Sequence, residues 1–107
     1  MLIHLFYGNE DMVIVIAYDV NTEDAAGKKR LRKVAKHCEN YGVRVQNSVF
    51  ECVVDAAQWK ILKERIINEI SQDRDSLRFY YLGNNTENKI EHFGAKTPID
   101  VRKPLMF

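Results

Sequence analysis

Residues 13–20, Val13-Ile14-Val15-Ile16-Ala17-Tyr18-Asp19-Val20, constrain what this chain can fold into more than any other segment. Five uncharged, mostly β-branched side chains run without interruption into a tyrosine and a lone carboxylate. β-branched residues are stiff at χ1 and pack well on a pleated surface. A run this short and this apolar suits a strand buried on both faces at the middle of a sheet. Asp19 then lies where that strand reaches the surface.

The remaining segments fall around this strand. Asn21-Thr22-Glu23-Asp24 is a polar loop rich in helix-starting residues, with Gly27 as its punctuation. A helix is predicted over 28–41, because Leu31, Val34, Ala35, Cys38 and Tyr41 recur at spacings of three and four. Gly42 is placed at its C-terminal cap. Residues 43–54 read as extended, with Val43, Val45, Val49 and Val53 alternating against more polar positions. Periodicity leaves open whether they make one strand or two broken near Asn47-Ser48. Asp55 caps a second helix over 56–71, with Trp59, Leu62, Ile66, Ile67 and Ile70 on its buried side. Strands follow at 77–82 and 89–93, separated by Gly83-Asn84-Asn85.

Two helices against one antiparallel sheet make an α+β sandwich, most simply a ferredoxin-like βαββαβ arrangement. That arrangement requires 43–54 to fold as a tight hairpin. Residues 1–11 contain the breaker-rich Gly8-Asn9-Glu10-Asp11 and read as an N-terminal extension, with Met12 the expected natural start of a single domain at 12–107. The last residues, Leu105-Met106-Phe107, are apolar to the end. Such a terminus is expected to dock, and the extended stretch before it suits strand addition to a second copy, hence a homodimer.

Bulk composition narrows the function. A length of 107 residues with 46% hydrophobic side chains supports one core. A net charge of +1 argues against a uniformly basic nucleic-acid binder, yet Lys28, Lys29, Arg30, Arg32, Lys33 and Lys36 crowd into nine residues. A solvated helix face is the ordinary meaning of such a run; the other is a polyanion bound on one face. Cys38 and Cys52 lack metal-ligand spacing and read as buried thiols. No apolar run approaches the roughly 20 residues a membrane span needs, and the chain is expected to be cytoplasmic.

A carboxylate at a strand end beside clustered cations points to a divalent metal and a phosphodiester. Mg²⁺ takes six oxygens in tight geometry, which one carboxylate cannot supply. Two copies of Asp19 across a dimer axis could. The competing reading is that Asp19 only shapes the turn. Tyr18 points to the opposite face from Asp19, and Phe50 is either core or site mouth. His37 is expected to face solvent.

The ordered segments Ala17-Tyr18-Asp19-Val20, Lys29-Arg30-Leu31-Arg32-Lys33-Val34, Tyr41-Gly42-Val43-Arg44-Val45-Gln46-Asn47-Ser48-Val49-Phe50-Glu51-Cys52 and Ile90-Glu91-His92-Phe93-Gly94-Ala95-Lys96 resemble the second CRISPR-associated protein family, the small nucleases of spacer acquisition. The resemblance is nearest to the double-stranded-DNA-cutting branch of type I-C loci. It implies a ferredoxin-like fold with an extra C-terminal strand crossing to a partner in a homodimer. It also implies Mg²⁺ or Mn²⁺ at Asp19 as the catalytic carboxylate, and a complex with the CRISPR integrase. Arg30, Arg32 and Arg44 correspond to family positions that handle nucleic acid; with Lys28 and Lys29 of the basic run they are the residues expected on double-stranded DNA, and possible on RNA, with Tyr18, Ser48 and Phe50 beside the site. Backbone phosphates, not bases, are the expected contacts.

Overall fold

The structure, a computed structural model, describes residues 11–82 and 89–95. Seven elements follow one another: β1 (Met12–Asp19), α1 (Ala25–Glu39), β2 (Gly42–Gln46), β3 (Val49–Val54), α2 (Ala56–Glu69), β4 (Ser76–Leu82) and β5 (Lys89–Gly94). The sheet is antiparallel with strand order β2-β3-β1-β4-β5, so the apolar run at 13–20 is the middle strand. This is the α+β, ferredoxin-like arrangement expected, with β5 added at one edge. The expected N-terminal extension (apart from Asp11) and the C-terminal strand lie outside the described residues.

Residues 42–54 are indeed two strands, turning at Asn47-Ser48. The alternation within them runs opposite to the valine pattern. Phe50, Cys52 and Val54 are fully buried, whereas Val43 and Val45 are 60% and 45% exposed. The valines were the more obvious apolar set, but the register seats their neighbours against the helices.

Both helices pack on one face of the sheet. α1 contributes Leu31, Val34, Ala35 and Cys38, α2 contributes Trp59, Leu62 and Ile66, and β1 contributes Ile14, Ile16 and Tyr18 to the same core. Asp55 caps α2 as expected, in a reciprocal box with Gln58. Two glycine expectations are corrected. Gly27 is not in the loop but in the first turn of α1, where a Cβ would lie 1.7 Å from the Asn21 carbonyl oxygen. Gly42 is not a left-handed cap: the C-cap is Asn40 in a right-handed helical conformation, and Gly42 opens β2.

The other face of the sheet carries no helix among the described residues. Pairing aligns Val13, Val15, Ala17 and Asp19 of β1 with Val49, Glu51 and Val53 of β3 and with Ser76, Arg78, Tyr80 and Leu82 of β4. Ile90 and His92 of β5 continue the same side. This face is largely apolar and only half covered. Both ring nitrogens of His92 are buried yet have no hydrogen-bond partner among the described residues.

Candidate nucleic-acid and metal site

The residues singled out from the sequence gather at one end of the sheet. There β1 ends, α1 begins, β2 turns into β3 and β4 starts. Alternation along β1 sends Tyr18 into the core and Asp19 onto the open face, where it is exposed. Asp19 stands opposite Ser76 in the ladder with β4. Arg78 follows on the same open face, two pairs along the ladder, opposite Ala17. Sequence reasoning missed it; its place beside Asp19 is legible only from the register.

Ser48 enters through its backbone. Its carbonyl accepts the Tyr18 amide at 2.9 Å, tying the β2–β3 turn to the end of β1. Phe50 is fully buried, so of its two expected places it takes the core. Arg44 spans both environments: its guanidinium carbon lies 5.4 Å from the Phe50 ring centroid, and its Nε donates to the Asn47 carbonyl at 2.8 Å. A planar cation over an aromatic face is held in direction while its outer edge stays in water.

Lys28, Arg32 and Arg44 converge with Thr22, Leu31 and Asn47 around a surface cleft of about 260 Å³. Helix spacing brings Lys28 and Arg32 onto one side of α1, and the hairpin supplies Arg44. Lys29 is exposed on the same helix but does not line this cleft.

Arg30 is placed differently. Its Nε and Nη2 donate to Asp75 at 2.8 and 3.1 Å, and its side chain is largely covered. Its fork is thus turned onto a carboxylate and away from the cleft of Lys28, Arg32 and Arg44, while its side chain borders a separate surface pocket with Asn21, Asp24 and Arg74. Asp75 is wholly buried and also accepts the Tyr18 hydroxyl and the Ser71 amide. Burial alone would push the Asp75 carboxyl up, but bonds from Arg30, Ser71 and Tyr18 outweigh it and hold it below the usual carboxylate range. For Tyr18, burial first and the bond to Asp75 second push the phenol well above its ordinary value. Tyr18 thus donates its hydroxyl into the protein, on the opposite side of the sheet from Asp19. Asp75 looked like part of a polar turn in the sequence; an acid just before an apolar strand was the only signal.

His37 is corrected as well. It is partly covered, with Nε2 2.9 Å from the Glu69 carboxylate, because α1 and α2 lie side by side.

Among the described residues, no group of three or more His, Cys, Asp or Glu side chains could hold a metal ion. The oxygens of Asp19 suit a hard cation in kind, but one protomer does not supply them in number.

A family profile for CRISPR-associated protein Cas2 matches residues 12–90. The chain belongs to the Cas2 family. It is 56% identical over 100 residues to a protein of Nitratidesulfovibrio vulgaris named CRISPR-associated endoribonuclease Cas2, covering 94% of this chain and 98% of that one. It is 56% identical over 96 residues to a Halalkalibacterium halodurans protein named CRISPR-associated endonuclease Cas2, covering 90% of this chain and all (100%) of that one. The crystal structure of Streptococcus pyogenes Cas2 at pH 6.5 matches with a TM-score of 0.66 and 55% identity, over 69% of this chain and 89% of that one. The five-stranded antiparallel sheet with two helices is the fold these family structures share. No described helix is long and apolar enough to cross a membrane.

Proposed function

We propose that the chain is a metal-dependent endonuclease of CRISPR adaptation, a phosphodiester hydrolase acting on nucleic-acid backbones without reading their sequence. The observation that carries this reading is the position of Asp19. It stands on the uncovered sheet face, at the end where Lys28, Arg32 and Arg44 line a cationic cleft.

The assembly in this reading is a homodimer joined through the open face. Its half-covered valines, Tyr80 and the unsatisfied His92 suit burial against a second copy. In that assembly the two Asp19 carboxylates, one from each copy, would be the residues to hold Mg²⁺ or Mn²⁺. When bound, such an ion polarises the phosphoryl oxygen and lowers the pKa of its water. The protein's own contribution is binding and orientation. Lys28, Arg32 and Arg44 take backbone phosphates, Phe50 steadies Arg44, and Lys29 adds to the field along α1.

Double-stranded DNA is the proposed substrate, as in the type I-C branch, with RNA the alternative. The names of relatives divide between endonuclease and endoribonuclease. The CRISPR integrase is the proposed partner and the cytoplasm the proposed compartment. A second reading makes the dimer a DNA-holding scaffold for that integrase, with cleavage incidental. It is favoured by Tyr18, whose hydroxyl is turned inward onto Asp75 and away from Asp19.

A nuclease assay on duplex DNA and RNA with Mg²⁺, Mn²⁺ and chelator, wild type beside Asp19→Ala, tests the proposal. Cleavage that needs the ion and vanishes in the variant supports the enzyme. Cleavage indifferent to Asp19 removes it. Spacer acquisition surviving Asp19→Ala while cleavage is lost favours the scaffold.

A further inference from the structure

The densest buried polar cluster among the described residues lies directly beneath Asp19, on the helix side of the sheet. Its hub is Asp75. Oδ2 accepts the Arg30 Nε at 2.8 Å, the Ser71 amide at 2.9 Å and the Tyr18 hydroxyl; Oδ1 accepts the Arg30 Nη2 at 3.1 Å. The backbone of Asp75 is held too. Its amide donates to the Ser71 carbonyl at 2.8 Å, and its carbonyl accepts the Ala95 amide at 2.9 Å. Gly94, at φ 111°, closes over that carbonyl: a Cβ there would lie 2.0 Å from the Asp75 oxygen. One residue thus joins β1, α1, the end of α2, the start of β4 and the end of β5.

The cluster bears on Asp19 from two sides. Tyr18 is its chain neighbour and is fixed at both ends, amide to Ser48 and hydroxyl to Asp75. Ser76, opposite Asp19, is the next residue after Asp75. Strand ends fray, and the Cβ direction of a strand residue follows its neighbour's with a period of two. A carboxylate that must share a small cation with a second copy needs its place held to about half an ångström. Partners behind the ligand supply such precision.

We infer that Asp75, with Tyr18 and Arg30, is a positioning cluster that fixes the direction of Asp19, and that Arg30 belongs to this cluster, not to the phosphate-contacting cations. The inference rests on the reading of Asp19 as a metal carboxylate. Arg30 acts on nucleic acid only through Asp75 and Tyr18. Arg32, two residues on and exposed at the cleft, is the direct contact.

The test compares Asp19→Ala, Arg32→Gln, Arg30→Gln, Arg30→Lys and Tyr18→Phe in the full chain. KM and kcat are measured on duplex DNA with Mn²⁺, binding as a function of salt, and Mn²⁺ affinity by electron paramagnetic resonance. Asp75→Asn is added where it folds; the milder Tyr18→Phe and Arg30→Lys carry the test if it does not. Arg32→Gln is expected to raise KM and to flatten the salt slope by about one phosphate contact. Arg30→Gln and Tyr18→Phe are expected to lower kcat at least tenfold and weaken Mn²⁺, with KM and salt slope unchanged. Arg30→Lys recovers part of kcat, since it restores the charge without the fork. A flattened slope and raised KM in Arg30→Gln, with kcat intact, would overturn the assignment. So would unchanged kcat and Mn²⁺ affinity in Tyr18→Phe. Should Asp19→Ala retain both cleavage and Mn²⁺, the metal reading fails, and the two arginine salt slopes still decide where Arg30 belongs.

Discussion

Asp19 and Ser76 face each other in the β1–β4 ladder, and the residues just before them, Tyr18 and Asp75, are hydrogen-bonded beneath the sheet. The two strand ends are therefore tied twice, once by backbone pairing and once by side chains. Removing one member of a buried ion pair leaves the other charge uncompensated, at a cost of about 3–5 kcal/mol. Asp75→Asn is expected to lose that order of stability, and Tyr18→Phe about 1.5–3 kcal/mol for a bond to a charged acceptor. Urea unfolding at neutral pH measures both.

The order of elements was legible before the structure because each carries its own signal. The apolar run at 13–20 pointed to a central strand, which it is, although the expected burial on both faces holds only for the helix side, and the spacing of Leu31, Val34, Ala35 and Cys38 pointed to a helix face. Asp55 as a cap was equally local. The failures are tertiary. Valines at 43 and 45 look like core, yet the register of β2 on β3 turns them outward. Asp75 looks like a turn acid, yet it is the hub of the buried polar cluster. Arg30 and Arg32 look equivalent in sequence, but successive helical steps of about 100° turn them to different surroundings only once α1 is docked. Contacts between residues 45 or 57 positions apart leave no trace in local pattern.

The same cluster sets the pH response. The folded Asp75 carboxyl lies below its ordinary 3.8, so its contribution to stability is present above that value and falls away as pH drops through the lower, folded one. Tyr18 and Tyr81 are raised above 10.0, chiefly by burial and then by their acidic partners Asp75 and Glu91. Their contributions are whole below pH 10.0 and disappear as pH climbs through the raised values. Near-ultraviolet phenolate absorbance is expected to leave at least two of the five tyrosines un-ionised at pH 10.0 in the folded protein. Tyr18→Phe should reduce that protected number by one.

The cleft cations predict the salt dependence of DNA binding. Removing a single cation–phosphate pairing should reduce the slope of log affinity against log salt by about 0.9. Arg32→Gln and Arg44→Gln are each expected to do so, equally for unrelated duplex sequences. Fluorescence anisotropy across a salt series measures the slopes.

The open sheet face predicts the assembly. Val15 lies near its middle, opposite Glu51 on one side and Tyr80 on the other. In Val15→Lys the new cation can meet Glu51 within one protomer, but it cannot be buried between two sheets without a large desolvation cost. The variant is expected to sediment as a monomer, to keep its circular dichroism and to lose metal-dependent cleavage.

The most direct test of two carboxylates sharing one ion is the stoichiometry of Mn²⁺ binding. A titration followed by electron paramagnetic resonance, with chain concentration fixed by amino-acid analysis, should saturate at one Mn²⁺ per two chains and show no such site in Asp19→Ala. One ion per chain, or a site that survives the loss of Asp19, would contradict a centre shared across the dimer axis.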